Sequence, residues 1–339
     1  MSDCQTAADQ QLAASDSAVA RIAGKAALRL LSPGGERGLS IFIYHRVLEK
    51  KDPLFPDEVD QFDFDQDLRR IKGLFNVLPL RDAIVRRAAG TLPPRAACIT
   101  FDDGYADNAA IAMPILHRYG LHATFFVATG FIDGGIMWND AIIELVRRHQ
   151  GTALDLGALG LDLYPLTSTA ERRAAIAKLI GKLKYLPLEA RQIQVDLIVE
   201  AAGAISPRDL MMTSAQVRQL HDGGMHIGGH TIYHPILASI ELSAARAEIA
   251  GGKHALEEII GAEVPLFAYP NGKPGTDYRA EHVQLVRELG FEGAVSTAWG
   301  AAPARADLFQ LPRFSPWDRT ALRFAARMAR NLTTRAQLA

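Results

Sequence analysis

Ala96-Ala97-Cys98-Ile99-Thr100-Phe101-Asp102-Asp103-Gly104 sets a short, unbroken apolar run directly against two adjacent carboxylates and a glycine. An apolar run of this length without alternation is the pattern of a strand buried on both faces, as in a parallel sheet covered by helices. Acids placed where such a strand ends fall on the side of an α/β fold where ligands bind. Asp and Gly are also ordinary turn and capping residues, so the pair alone fits a capped turn as well as a site.

Working outward, the same rhythm recurs. Ser40–Tyr44, Ala123–Ala128, Met225–Gly229, Leu266–Tyr269 and Gly293–Thr297 are further candidate strands. Helical stretches separate them at Asp63–Gly73, Leu80–Ala89, Asp107–Tyr119, Ser243–Ile260 and Tyr278–Leu289, punctuated by Gly73, Pro79 and Gly90. Repeated strand–helix alternation predicts an α/β fold with a parallel sheet. The number of units suits a closed or nearly closed barrel, although periodicity does not separate that from an open sheet. From about 134 to 213 the rhythm breaks: helices are expected at Trp138–His149, Ala170–Tyr185 and Leu188–Ala202, with no strand. This stretch reads as a helical insertion forming a lid or rim. The expected organisation is an amino-terminal helical extension over 1–39, one domain over 40–317 that carries the insertion, and a basic carboxyl-terminal helix or tail over 318–339.

Composition narrows the function. The 339 residues are 48% hydrophobic and 22% charged, which excludes disorder for the bulk of the chain. Thirty-seven Lys and Arg balance 38 Asp and Glu, for a formal net charge of -1, so no nucleic-acid partner is expected. With only Cys4 and Cys98, neither a disulfide framework nor a cysteine-held zinc is available. A metal here needs His and carboxylate. No stretch reads as a membrane span, and Asp3, Asp9 and Asp16 interrupt any secretory signal, so a cytoplasmic location is the expectation. Both ends carry basic amphipathic segments: Arg21, Lys25 and Arg29 beside Val19, Ile22, Leu28 and Leu30, then Arg319, Arg323, Arg327 and Arg330. Packing on the body is the plainer reading of each, and peripheral membrane contact the alternative.

Two more motifs join the carboxylate pair. His230-Thr231-Ile232-Tyr233-His234 follows Gly228-Gly229. Histidines at i and i+4 share a face if the chain turns helically after the strand, which suits two imidazoles on one metal. Among ten histidines a chance pair is not rare. Phe267-Ala268-Tyr269-Pro270-Asn271-Gly272 ends another strand in a tight turn that would expose a backbone N–H as an oxyanion donor. Together, a His/His/carboxylate set with a second carboxylate as proton acceptor describes metal-assisted hydrolysis of an amide or ester.

In this order, and with Tyr44-His45-Arg46-Val47, Ile99–Tyr105 and Ala123–Val127 around them, these motifs resemble the polysaccharide deacetylases, the NodB-homology group or carbohydrate esterase family 4. The resemblance covers about Ser40 to Phe314. It implies a distorted (β/α) barrel of about seven units and removal of N-acetyl groups from an amino-sugar polymer. It further implies Asp102 as general base, with Asp103, His230 and His234 holding a divalent metal, zinc first and cobalt or nickel as alternatives. Tyr269, Pro270 and Asn271 resemble the groove-lining motif, with the Asn271 N–H as oxyanion donor. Two departures stand out. Ala268 and Asn271 occupy places where the family has Arg and Tyr, and Leu311-Pro312-Arg313-Phe314 replaces the Leu-x-His that supplies a general acid. His45 is the substitute acid, and Arg313 is grouped with the substrate contacts or else braces a carboxylate. The pattern is most similar to deacetylases of bacterial exopolysaccharide. A small or lipid-linked sugar amide as substrate, or glycan binding without turnover, are the alternatives.

Overall fold

The computed structural model describes residues 22–302, 306–316, 318 and 320–339. Cys4, Asp3, Asp9, Asp16, Val19, Arg21 and Arg319 lie outside the described residues, as do residues 1–21 of the extension. The strands are β1 (Ser40–Tyr44), β2 (Asn76–Val77), β3 (Ala96–Phe101), β4 (Thr124–Val127), β5 (Ala153–Asp155), β6 (Leu163–Pro165), β7 (His226–Gly229), β8 (Leu266–Ala268) and β9 (Gly293–Val295). Seven of them form one parallel sheet in the order β1-β3-β4-β7-β8-β9, with β2 beside β3. Every residue of β1, β3 and β4 is buried, as expected for strands covered on both faces.

The sheet curls into a barrel, and an irregular segment bridges its ends. Leu311 N–H donates to Ala294 O at the β9 edge, while Ile43 N–H donates to Phe314 O and Phe314 N–H to Ile41 O at the β1 edge. The segment 311–314 thereby does the work of another strand without regular ladder geometry. Its Pro312 lacks an N–H, which explains why the pairing is confined to single bridges at Leu311 and Phe314.

The insertion has its own core, with Ile142, Leu145, Leu179 and Ile198 buried together, and it grips the loop after β1 through Arg147–Asp52 and Arg173. It differs from expectation by an antiparallel pair: β5 and β6 face each other with Leu154 opposite Tyr164. Strands of three residues are too short for alternation to register in a sequence, yet Leu154 and Tyr164 point inward exactly once each, which suffices to fix the hairpin on the insertion core.

The helix Ala321–Thr333 lays Phe324 and Met328 into the body, where Phe324 stacks on Phe42 at 6.1 Å between ring centres, and Arg327 pairs with Asp318. Its apolar face is therefore used in packing. Helix 22–31 turns Gly24 and Leu28 inward and leaves Ile22 and Leu30 exposed. No helix among the described residues is long and apolar enough to cross a membrane.

The helix Gln61–Leu74 carries a buried acid, Asp67, held by the Tyr44 hydroxyl at 3.3 Å and Arg70 at 2.9 Å. Burial outweighs both partners and pushes its carboxyl up to about 7. A folded-state value above the unfolded one of about 3.9 makes this group favour folding below about pH 4 and withdraws that support as pH rises to about 7. Thermal unfolding of Asp67→Asn should therefore match wild type near pH 4 and exceed it by ~1–2 kcal/mol at pH 7.5. Parallel pH profiles for the two proteins would refute the assignment.

Candidate metal and catalytic centre

Asp102 and Asp103 engage different partners, and the backbone turns sharply between β3 and Gly104. Asp103 has φ 76° and Gly104 φ 93°, and Gly104 N–H folds back on Asp102 O at 3.0 Å. Asp is among the few residues with a side chain that accept this left-handed conformation at modest cost. At Gly104 a Cβ would lie 2.9 Å from a Val127 methyl, so a residue larger than glycine is excluded on two counts.

The Asp102 carboxylate turns inward to Arg313. Nη1 donates to Oδ1 at 2.7 Å and Nη2 to Oδ2 at 2.6 Å, a bidentate pair with the arginine side chain fully buried. Arg313 also donates to Thr100 Oγ1 at 3.1 Å and Ser296 O at 3.1 Å. Burial alone would raise the Asp102 carboxyl, but the charge of Arg313, then His230, holds it below the ordinary carboxylate range. This corrects the placement of Arg313 among substrate contacts: it is walled in, and it braces a carboxylate from the segment that closes the barrel.

Asp103 faces the histidines. Its Oδ1 lies 3.4 Å from His230 Nε2 and 3.5 Å from His234 Nε2, and the three ligand atoms all fall within 4.8 Å of one another. His230 Nδ1 is engaged by Ala268 O at 2.7 Å, which fixes the ring and leaves Nε2 as the donor toward the cluster. Burial opposes a charged His230, but the Asp102 and Asp103 carboxylates outweigh it and raise the imidazole. Burial pulls His234 down to about 4, so this ring is neutral at pH 7 with a lone pair to give. Asp103 is held well below the usual carboxylate range, because His230, His234 and His45 together overcome its burial. Two imidazoles and one carboxylate converging from one side fit a divalent ion of the zinc type with open positions.

The His230–His234 segment is not helical, which corrects the expected turn. Thr231 has φ 66° and His234 φ 51°, and two left-handed residues fold the loop so that the rings meet at 4.7 Å between centres. The Glu248 carboxylate accepts the N–H groups of Ile232 and Tyr233 at 3.0 and 2.8 Å, and Thr231 Oγ1 accepts that of His234. Gly252 on the helix Leu242–Ile260 lets this loop approach, since a Cβ there would stand 2.7 Å from Thr231 O.

Tyr269 and Pro270 do not line a groove. Tyr269 is fully buried, stacked on Tyr278 at 3.9 Å, and its hydroxyl donates to Phe309 O. Asn271 is half-buried in a left-handed turn, φ 58°, which Thr297 Oγ1 secures by donating to Asn271 O at 2.7 Å. His45 is exposed at the end of β1, near enough for its charge to act on Asp102, Asp103 and His234. Its backbone is clamped by residues that sequence reasoning passed over. Asn108 Nδ2 donates to His45 O at 2.9 Å, and Asp107 accepts from Val47 N–H at 3.1 Å and Arg46 Nε at 2.8 Å. The Arg46 guanidinium covers the Tyr105 ring at 4.8 Å, and Tyr105 donates to Asp140, whose carboxyl burial pushes up to about 7. The signal was present in Tyr105-Ala106-Asp107-Asn108, directly after the carboxylate pair.

A curled parallel (β/α) sheet with an Asp-His-His cluster and a braced second carboxylate at the carboxyl ends of its strands defines a hydrolase-type barrel. The family model for polysaccharide deacetylase matches residues 89–182 and 193–294, and the chain belongs to that family, carbohydrate esterase family 4. A putative polysaccharide deacetylase of Bacillus subtilis, YxkH, is 20% identical over 275 residues, 81% of this chain and 70% of the relative. Among solved structures, the Streptococcus pyogenes deacetylase PplD in complex with acetate matches with TM-score 0.57 and 18% identity, over 86% of this chain and 97% of that one. IcaB from Ammonifex degensii matches with TM-score 0.56 at the same identity and coverage. At these identities the structures testify to the fold.

Proposed function

We propose that this polysaccharide deacetylase is a metal-dependent hydrolase that removes N-acetyl groups from an N-acetylated amino-sugar polymer, a bacterial exopolysaccharide before a cell-wall glycan. The observation that carries the reading is the meeting of Asp103, His230 and His234 beside an Asp102 kept ionised by Arg313. Zinc is the ion we assign, ahead of cobalt or nickel. Bound between the three side chains, such an ion polarises the acetyl carbonyl and lowers the pKa of water from 15.7 to about 7.

The chain supplies the rest. Asp102 takes the proton from the attacking water as its oxygen bonds to the carbonyl carbon. The N–H of Asn271, held by its left-handed turn, donates to the oxyanion. His45, protonated, gives its proton to the amide nitrogen as the C–N bond breaks, so that acetate and a free amine leave. Support for His45 lies in the Asn108 and Asp107 clamp, which fixes its backbone at the mouth. Exposed Ile22 and Leu30 beside Lys25 and Arg29 make helix 22–31 the segment we assign to peripheral membrane contact. We assign a cytoplasmic location only if the glycan is a precursor, and otherwise a periplasmic or membrane-associated one.

Acetate release from N-acetylglucosamine oligomers of β-1,4 and β-1,6 linkage, with zinc, cobalt, nickel or chelator, tests the reading. Release should require metal, and His45→Gln should cut kcat by ~10²-fold without loss of metal. Folded, metal-loaded protein that releases nothing would point to another acyl substrate or to glycan binding alone.

A further inference from the structure

Both ligand loops of the candidate metal site hang from one short segment. Ala128 N–H donates to Asp103 O at 3.2 Å, Thr129 N–H to Thr231 O at 3.2 Å and Gly130 N–H to Ile232 O at 2.9 Å. Ala128 and Phe131 in turn pack in a small apolar cluster with Tyr105, Met137 and Met211, of which Met137 and Met211 come from the insertion. The insertion also takes hold of the Asp103 turn directly. At its end, Ala106 N–H donates to Leu210 O and Met212 N–H to Gly104 O, each at 2.9 Å. Near its start, Asp140 on the helix Trp138–Arg148 accepts the Tyr105 hydroxyl at 2.9 Å. Tyr105 is 5% exposed and Asp140 6%, so neither meets bulk water.

We infer that Asp140 is a positioning residue of the metal centre: through the Tyr105 hydroxyl it fixes the turn that carries Asp103, and the insertion serves the site as a clamp on that turn. The inference deepens the functional reading above, from which it takes the three ligands. Two physical demands support it. Asp103 holds its left-handed φ of 76° only if its surroundings over-determine that conformation. A ligand set also needs its side chains held to within ~0.5 Å, which takes hydrogen bonds as well as packing. Burying a carboxyl group is costly, and an apolar side chain beside Met137 would fill the space without that cost. What the acid adds is direction, since apolar contact is non-directional and a hydrogen bond to Tyr105 is not. The same ring lies under the Arg46 guanidinium, so Tyr105 is held by both its face and its hydroxyl.

Calorimetric titration of the metal-free protein with zinc, paired with amide hydrogen exchange over 104–106 and 210–212, tests this. Asp140→Leu and Tyr105→Phe should each weaken zinc binding by ~10–100-fold and speed exchange in both segments. Asp140→Asn, whose side-chain oxygen still accepts the hydroxyl, should keep both at wild-type values. The double variant Tyr105→Phe/Asp140→Leu separates positioning from stability. It leaves neither partner buried and unpaired, so thermal unfolding should return toward wild type while zinc affinity stays reduced. Zinc affinity that returns together with stability would make the pair merely structural and overturn the inference. Wild-type affinity in both single variants would do the same, as would an Asp140→Asn as weak as Asp140→Leu, since the hydrogen bond would then not be the cause. These affinities as expected, with no acetate released from any glycan, would remove the proposed substrate and leave the clamp standing. Zinc bound by no variant, wild type included, would remove the metal centre and the clamp with it.

Discussion

Asp103→Asn is expected to lose its metal ion and at least ~10³-fold of acetate release, equivalent to about 4 kcal/mol of barrier. The choice of asparagine matters. Asp103 sits at φ 76°, where alanine would add ~1–2 kcal/mol of backbone strain and confuse loss of a ligand with loss of the turn. Asparagine tolerates that conformation, keeps the side-chain shape and removes the negative charge that His230 and His234 face at 3.4 and 3.5 Å. Metal content by elemental analysis and acetate release should fall together. His234→Asn, at φ 51°, should behave in the same way for the same reason. Retention of both metal and turnover by either variant would remove these side chains from the site.

Much of this was readable in the chain. The run Ala96–Phe101 announced a doubly buried strand because nothing polar interrupts it except Thr100, whose hydroxyl is satisfied by Phe42 O. Three metal-type donors stood in two short motifs, and the structure brings them together. What failed was facing. In Leu266–Tyr269 every residue is buried, so alternation carries no information about which side meets the mouth, and Tyr269 fell on the wrong one. The histidine spacing hinted at a helical turn that two left-handed residues replace, and no local signal marks Thr231 or His234 for that conformation. Arg313 lies 211 residues from Asp102, and only closure of the barrel by segment 311–314 joins them. Ala268 stands in β8 where the resemblance would place an arginine, and this chain supplies a guanidinium from segment 311–314 instead, which position-by-position comparison misses.

That relocation makes Arg313 the residue with the largest expected effect on stability. Arg313→Met leaves the Asp102 carboxylate buried without its hydrogen-bond donors, along with the Ser296 carbonyl that the guanidinium also engages. Breaking a buried pair on one side costs ~3–5 kcal/mol, because the surviving charge is uncompensated. The pH dependence identifies the cause. In the wild type Asp102 is depressed below its unfolded value, so it supports folding above about pH 4 and withdraws that support as pH falls. Without Arg313, burial dominates and the carboxyl rises instead, so the same group then opposes folding above about pH 4. The gap between the two proteins should accordingly be widest at pH 7.5 and narrow toward pH 4 in denaturant titrations. Lysine should rescue poorly, since a single ammonium cannot reproduce two parallel bonds to one carboxylate. The double variant Asp102→Leu/Arg313→Met should regain most of the stability, because both charges are gone, and yet release no acetate. Stability of Arg313→Met within ~1 kcal/mol of wild type at pH 7.5 would show that the pair is not what holds the barrel closed. Recovery of stability by the double variant without recovery of activity would separate two jobs of the pair: closing the barrel, for which apolar side chains suffice, and keeping the proposed base ionised beside the candidate metal site, for which they do not.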